Sequence, residues 1–255
     1  MKPSNRISAA RLVLGRIFFV YAVLLFAATL LIVVLPVMAT GLFPEPRRSK
    51  LLYPIFRVWM SFYMPLVFCP VRRKGAEKFR KGQNYVVVCN HNSFVDVPVT
   101  SPWIPGPNKT LAKAEMAKIP IFGTVYTAGS ILVNRKSDAS RRESFSKMQQ
   151  SLEQGLHLCL YPEGTRNKTS EPLQAFYDGA FITAVKAQKP IIPALLTNTA
   201  TILPMKPHFW AWPRSIRFHF LEAVETKGLT MEDVPALKER VRNAMMDHYV
   251  KHIPA

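Results

Sequence analysis

Apolar positions fall into two regimes along this chain. From Ile17 to Leu35 they are continuous: IFFVYAVLLFAATLLIVVL is 19 residues without a charge or a proline. Beyond about Val71 they come in short bursts divided by polar turns. Tyr85–Cys89 is β-branched, lies between Gly82 and Asn90, and predicts a buried strand. Ser130–Val133, Leu156–Tyr161, Pro190–Leu196 and Ile216–Val224 predict strands on the same grounds. Ser140–Gly155 reads as a helix, with Ser140 and Glu143 as a capping box, an apolar stripe at Phe145, Met148 and Leu152, and Gly155 as its stop. Ala180–Ala187 is a short helix. A last helix from about Thr230 sets Val234, Leu237, Val241 and Met245 on one face. Strands alternating with helices predict an α/β fold, a mostly parallel sheet flanked by helices.

The continuous run needs a different environment. A bilayer core of about 30 Å is matched by about 20 helical residues, and the run has no polar stripe such as a soluble core helix normally keeps. It exceeds the ~7–15 apolar residues of a secretory signal. A second apolar stretch, Val58–Val71, is aromatic and ends at Arg72-Arg73-Lys74; at 14 residues it reads as interfacial or re-entrant. Basic residues flank the first run on both sides: Lys2, Arg6, Arg11 and Arg16 before it, Arg47, Arg48 and Lys50 after it. The pattern fits a hairpin or in-plane anchor with the remainder cytoplasmic, or a single-pass anchor. The expected organisation is a membrane-embedded helical segment over residues 1–70 and a globular domain over 71–255.

Composition sharpens the picture. The 255 residues carry 34 Lys and Arg against 16 Asp and Glu, a net charge of +18, which directs the search to anionic partners. No recognisable nucleic-acid-binding motif is present, so lipid headgroups and phosphorylated small molecules remain. The three cysteines, Cys69, Cys89 and Cys159, are too few and too scattered for a disulfide scaffold, and no Cys/His cluster has zinc spacing.

Candidate chemistry sits just after two predicted strands, where α/β folds tend to bind ligands. Asn90-His91-Asn92-Ser93-Phe94-Val95-Asp96 offers an imidazole and, five residues on, a carboxylate able to orient it as a base. Ser93-x-x-Asp96 equally suits a capped helix start. Tyr161-Pro162-Glu163-Gly164-Thr165-Arg166 offers a close-approach glycine, a hydroxyl and a guanidinium fork suited to phosphate; the other reading is a polar turn with an exposed arginine. Arg135, beyond the strand at Val133, and Lys113 beside Glu115 fit an anion site or a solvated surface alike.

Together, Asn90-His91 with Asp96, Val133-Asn134-Arg135, Tyr161 to Arg166 and Ile191-Ile192-Pro193-Ala194 resemble, in order and spacing, the four blocks of the glycerolipid acyltransferase family, the bacterial 1-acylglycerol-3-phosphate acyltransferases in particular. The resemblance runs from about Val71 to Val224. It implies an enzyme that moves a fatty acyl group from acyl-CoA or acyl-acyl carrier protein to a lysophospholipid acceptor, lysophosphatidic acid first, on a membrane rich in anionic lipid. It implies His91 as base and Asp96 as its support. Glu163, Gly164, Thr165 and Arg166 would bind the acceptor's phosphate with help from Arg135, and Lys113 would sit near the acyl carbonyl. No cofactor or metal is implied. Phe176-Tyr177-Asp178-Gly179-Ala180 departs from the family's Phe-Lys-x-Gly-Ala by losing a positive charge at Tyr177. Other acceptors (glycerol-3-phosphate, another lysophospholipid, lyso-ornithine lipid) and a non-catalytic lipid-binding role are the alternatives.

Overall fold

The apolar bursts are the strands of one sheet. The computed structural model describes residues 8–134, 136–169 and 171–252. Its seven strands are β1 (Val71–Lys74), β2 (Val86–Cys89), β3 (Asn108–Lys113), β4 (Ser130–Val133), β5 (His157–Leu160), β6 (Ile191–Thr197) and β7 (Ile216–Phe220), in spatial order β1-β7-β6-β2-β5-β3-β4. Every neighbouring pair runs parallel except β6 and β7. The mostly parallel α/β sheet expected from the pattern is therefore present, with two strands at one edge, β1 and β7, running against the other five.

The central strands read as unbroken apolar runs because both of their faces are covered. Val86 and Val88 of β2 point to one side, into a core shared with α5 (Asp138–Glu153), α6 (Gly179–Ala187) and α8 (Val234–His252). Val87 and Cys89 point to the other, against Val99 and Trp103 of α3 (Asp96–Trp103) and Met60 and Met64 of α2 (Arg47–Leu66). Val234, Leu237, Val241 and Met245 form the buried stripe of α8, as their spacing predicts.

Two local readings are corrected. The long helix starts earlier than the Ser140/Glu143 box: Ser137 is the N-cap, its hydroxyl accepting from Ser140 N at 3.2 Å, with Asp138 in the first turn where the dipole favours it. Ser140 Oγ instead accepts from Asn134 N. The stretch Val58–Val71 is not a separate re-entrant element. It is the second half of α2 followed by a short turn into β1. Pro54 and Pro65 inside the helix, and the basic Arg47–Lys50 at its start, mask its true length.

The first apolar run lies in α1 (Ala9–Thr40), 32 residues and about 48 Å long at 1.5 Å per residue. It is long and apolar enough to cross a membrane. Gly15, Leu30, Val37 and Thr40 are buried on one side, while Val13, Leu14, Ile17, Val20, Leu24, Leu31, Ile32, Leu35 and Met38 are exposed. The helix is thus apolar all round, with one stripe packed on protein and the rest bare. It pairs with α2, where Tyr63 Oη donates to Ala22 O at 3.0 Å and Tyr21 Oη to Leu66 O at 2.9 Å. Its N-terminal end is held by Trp210, whose Nε1 donates to Arg11 O, and by Ala211 N, which donates to Gly15 O. Further along, Leu30 and Val37 pack with Val125 and Ala128 of α4 (Phe122–Ala128).

The corner between the two helices is fastened by an ion pair, Lys109 Nζ to Glu45 Oε1 at 2.7 Å. Lys109 also donates to Ala128 O. Burial pushes the Lys109 ammonium below its ordinary range, and the Glu45 carboxylate is what keeps a cation tolerable there.

Candidate active site

Parallel β2 and β5 are neighbours, so the loops leaving their C-terminal ends emerge side by side. One is the His91 loop and the other the Glu163–Arg166 turn. The His91 loop is anchored by Asn90, buried at the end of β2. Its amide donates to Leu196 O at 2.9 Å and its carbonyl accepts from Leu196 N at 2.7 Å, so a side chain continues the ladder to β6 where the backbone turns away.

Asp96 opens α3 and is fully buried. One of its oxygens, Oδ2, collects three donors: His91 Nδ1 at 2.8 Å, Asn92 N at 2.6 Å and Ser93 N at 2.8 Å. Both readings of the motif therefore hold. The carboxylate sits at a helix start and also grips the imidazole. Because the carboxylate can only accept, Nδ1 carries the proton and donates it, which leaves the Nε2 lone pair to act as a base. The ring lies on Tyr161, centroids 4.5 Å apart, and the Tyr161 and Thr100 hydroxyls are hydrogen-bonded at 2.7 Å. Burial holds the Tyr161 phenol protonated, well above its usual range. The imidazole is about one-fifth exposed (18%), so it is reachable from outside while its partner is not.

The second loop is stapled to the first. Glu163 is buried, and its Oε1 accepts from His91 N at 2.8 Å. Its Oε2 accepts from Gln174 N at 3.0 Å and Gln174 Nε2 at 3.3 Å. On the far side of the same residue, Asn167 N donates to His91 O at 2.7 Å. The peptide groups of His91 are thus held from both sides by one short segment. Burial raises the Glu163 carboxylate above its usual range, opposed by these donors.

Here the expectation for Glu163 changes. Both of its oxygens are committed to the protein, so it positions the His91 loop rather than facing a ligand's phosphate; an anion would in any case repel it. Gly164 has φ +70°, a left-handed conformation that favours glycine. The ring of Tyr177 lies across it, 2.8 Å from where a Cβ would stand. Thr165 is exposed. Arg166 stacks on the ring of Phe94 at 3.8 Å, which brings the guanidinium onto the His91 loop.

Lys113 is not gathered in this way. Lys113 ends β3, two strands from β2, and its exposed ammonium pairs with Glu115 at 3.5 Å. Arg135, beyond edge strand β4, lies outside the described residues. Sequence reasoning did not assign roles to Asn90, Tyr161, Gln174 or Phe94. A polar Asn closing an apolar strand was the one visible signal; the others depend on which strands become neighbours.

An imidazole with one nitrogen held by a buried carboxylate, on a loop whose Phe94 ring lies under the Arg166 guanidinium at the strand ends of an α/β sheet, is an arrangement able to take a proton from a group on an anionic ligand. The acyltransferase family model matches residues 70–197, half of the chain, and the protein belongs to that family. Among curated proteins it is similar to the mouse 1-acyl-sn-glycerol-3-phosphate acyltransferase alpha (35% identical over 69% of this chain and 62% of that protein). It is similar also to the human protein of the same name (34%, over 75% and 68%) and to the Helicobacter pylori 1-acyl-sn-glycerol-3-phosphate acyltransferase (30%, over 64% and 69%). The matched region spans 62% to 69% of these relatives' own length. The fold is that of the crystal structure of the 1-acyl-sn-glycerophosphate acyltransferase PlsC from Thermotoga maritima, with a TM-score of 0.74 at 20% identity, covering 96% of this chain and 98% of that one.

Proposed function

We propose that the protein transfers a fatty acyl group from an acyl thioester, acyl-CoA or acyl-acyl carrier protein, to the sn-2 hydroxyl of lysophosphatidic acid, giving phosphatidic acid. The observation that carries this is the stapling of the His91–Asp96 pair to the segment bearing Arg166, through His91 N to Glu163 and Asn167 N to His91 O. A base for a hydroxyl and a fork for a phosphate then sit on one rigid unit. The named relatives support the same reaction.

In the mechanism, His91 Nε2 takes the hydroxyl proton as the oxygen attacks the thioester carbon. The tetrahedral intermediate collapses, the C–S bond breaks, and the thiolate leaves and takes up a proton. Asp96 holds the tautomer and stabilises the imidazolium. General-base help of this kind is worth about 10²–10⁴-fold. Because a thiolate leaves readily, the step calls for no cofactor or metal. Thr165 and Arg166 hold the phosphate, with Arg135 assisting, and Lys113 remains a candidate near the acyl carbonyl.

A covalent acyl-enzyme is disfavoured by what surrounds the two nearby nucleophiles. Cys89 is fully buried against Cys159, and burial raises its thiol well above the usual range. Ser93 is fully buried and its hydroxyl donates to Leu203 O at 2.9 Å. Direct transfer needs neither.

Residues 1–70 serve as the anchor and 71–255 carry the chemistry. Of the topologies open in the sequence, a hairpin, an in-plane anchor and a single-pass anchor, the in-plane anchor fits best. A spanning helix would carry one end about 30 Å from the domain, whereas α1 touches the domain near both ends, at Trp210 and at α4. Its bare face would lie in the acyl region of one leaflet. The cytoplasmic face and an anionic lipid surface suit the exposed Arg47, Lys50, Arg72 and Lys74, each worth about 1 kcal/mol where it lies near the headgroups. Arg73 has a structural duty too, donating to Trp103 O at 3.0 Å.

The test is an acceptor panel in vesicles: lysophosphatidic acid, glycerol-3-phosphate, lysophosphatidylethanolamine, lyso-ornithine lipid and monoacylglycerol, each with both donors. Lysophosphatidic acid should give the highest kcat/KM. Preference for a zwitterionic acceptor would show that Tyr177 has changed the headgroup, and absence of transfer with every pair would leave a lipid-binding role.

A further inference from the structure

Arg166 is an unusual arginine for its surroundings. Its guanidinium lies 3.8 Å from the centroid of the Phe94 ring, the shortest cation–ring contact among the described residues. Among those residues no carboxylate lies within ion-pair distance of it, and it makes no side-chain hydrogen bond. Stacking uses the face of the guanidinium. The five N–H donors lie in its plane and stay available. The ring therefore fixes the plane without consuming a donor, which a carboxylate partner would do.

Phe94 is well placed for this. It sits between His91 and Asp96, in a loop pinned by Asn92 N and Ser93 N on Asp96 Oδ2 and by Val95 N on Ser93 Oγ at 3.3 Å. Yet the side chain itself is 59% exposed, so burial does not account for a large apolar ring at this position. The support is rigid and the ring is outward, over the segment that carries Arg166.

We propose that Phe94 is a positioning residue: its ring orients the Arg166 guanidinium so that the donor edge meets the acceptor's phosphate while His91 meets the hydroxyl. This rests on the function proposed above and adds to it a link between the two loops. The phosphate-binding cation is aligned by a residue inside the loop that carries the base, so headgroup recognition and base position are set by the same few residues.

The experiment is a double-mutant cycle read as binding. In the full-length His91→Ala protein, where turnover does not intrude, Kd is measured in mixed micelles for lysophosphatidic acid and for monoacylglycerol. The added changes are Phe94→Leu, Phe94→Trp, Arg166→Ala, and Phe94→Leu with Arg166→Ala. An exposed cation–π contact corresponds to about a two- to five-fold change in affinity. Phe94→Leu should weaken lysophosphatidic acid by that factor and leave monoacylglycerol unchanged. Phe94→Trp should bind like the parent, and Phe94→Leu should add nothing once Arg166 is alanine. Equal weakening with and without Arg166, or equal weakening of both lipids, would mean that the ring touches the lipid itself, and would overturn the proposal. Should Phe94→Leu prove unstable in a melt, Phe94→Met repeats the comparison. The two readings fail separately. With His91 intact, loss of phosphatidic acid formation rejects the enzyme assignment, whereas additivity in the cycle rejects only the role of Phe94. No measurable binding of lysophosphatidic acid rejects both.

Discussion

Replacing Glu163 by Gln separates a staple from a ligand contact. The carboxylate offers two acceptor oxygens, and each is met by a backbone N–H: His91 N at 2.8 Å and Gln174 N at 3.0 Å. An amide has one oxygen. Whichever way it is turned, an NH₂ faces one of those N–H groups, and neither backbone group can rotate to become an acceptor. One hydrogen bond to a charged group is lost, worth about 1.5–3 kcal/mol, and a buried N–H is left unpaired. The gain that opposes this is relief from burying a charge, the same effect that raises the Glu163 pKa. A net destabilisation of about 1–3 kcal/mol is expected, read by urea unfolding in detergent. The kinetic consequence is larger. If His91 N loses its partner the imidazole shifts, and a displacement of about 1 Å can cost 10²-fold. The kcat for lysophosphatidic acid should therefore fall about 10- to 10²-fold, more than KM rises. An E163Q protein with unchanged stability and kcat but a raised KM would instead mark Glu163 as a residue that binds the phosphate itself.

Three further outcomes follow from other parts of the structure. Arg166→Ala should raise KM for lysophosphatidic acid about 10-fold or more, as expected for a charge-assisted contact, with a much smaller change in kcat; steady-state kinetics over a range of acceptor concentrations decides this. Burial pushes the His157 and His219 imidazoles down to about 4, with His248, Lys74, Arg217 and His252 adding repulsion at His219. The unfolded chain takes up these protons near pH 6.5 while the folded chain does not, so stability is full above about pH 6.5 and falls toward pH 4. Urea midpoints between pH 7.5 and 5 should show this, and His219→Gln should flatten the slope; a pH-independent midpoint would contradict it. Finally, Leu31 and Ile32 are 56% and 71% exposed on the bare face of α1. Replacing both with Glu should weaken vesicle binding by about 10²-fold or more in flotation, with the melting temperature in detergent unchanged.

Where the fold was legible in the sequence, it was because apolar side chains run with little polar interruption: β2, β5 and β6, buried on both faces, and edge strand β4 stand within a residue or two of their apolar runs. The elements that stayed hidden break the apolar pattern, each for a different reason. β3 reads Asn-Lys-Thr-Leu-Ala-Lys, yet its first three residues are buried, Lys109 against Glu45 from the helical corner and Asn108 against Ser101 O. β1 is mostly charged because it pairs only along one edge, with β7. Prolines at Pro98 and Pro102 concealed α3 in the same way that Pro54 and Pro65 shortened α2.

The site shows the same division. His91 and Asp96 could be offered as a pair from the sequence because only four residues separate them, although the same spacing also suited a helix start and the family resemblance chose between the two. The inward turn of Glu163 could not, since its donors belong to His91 and Gln174 on either side of a strand pairing. Nor did the sequence show that Arg166 stacks on Phe94 and, among the described residues, pairs with no carboxylate, whereas the neighbouring Glu115 already suggested a pair for Lys113. Which cation stays available is a property of the folded neighbourhood.

The most direct measurement is the initial rate of phosphatidic acid formation from lysophosphatidic acid and labelled acyl thioester in vesicles, by the intact protein and by His91→Ala, with matched melting curves. The variant should fold like the parent and turn over at least about 10²-fold more slowly. A folded His91→Ala protein that works at a near-normal rate would show that the imidazole is not the base.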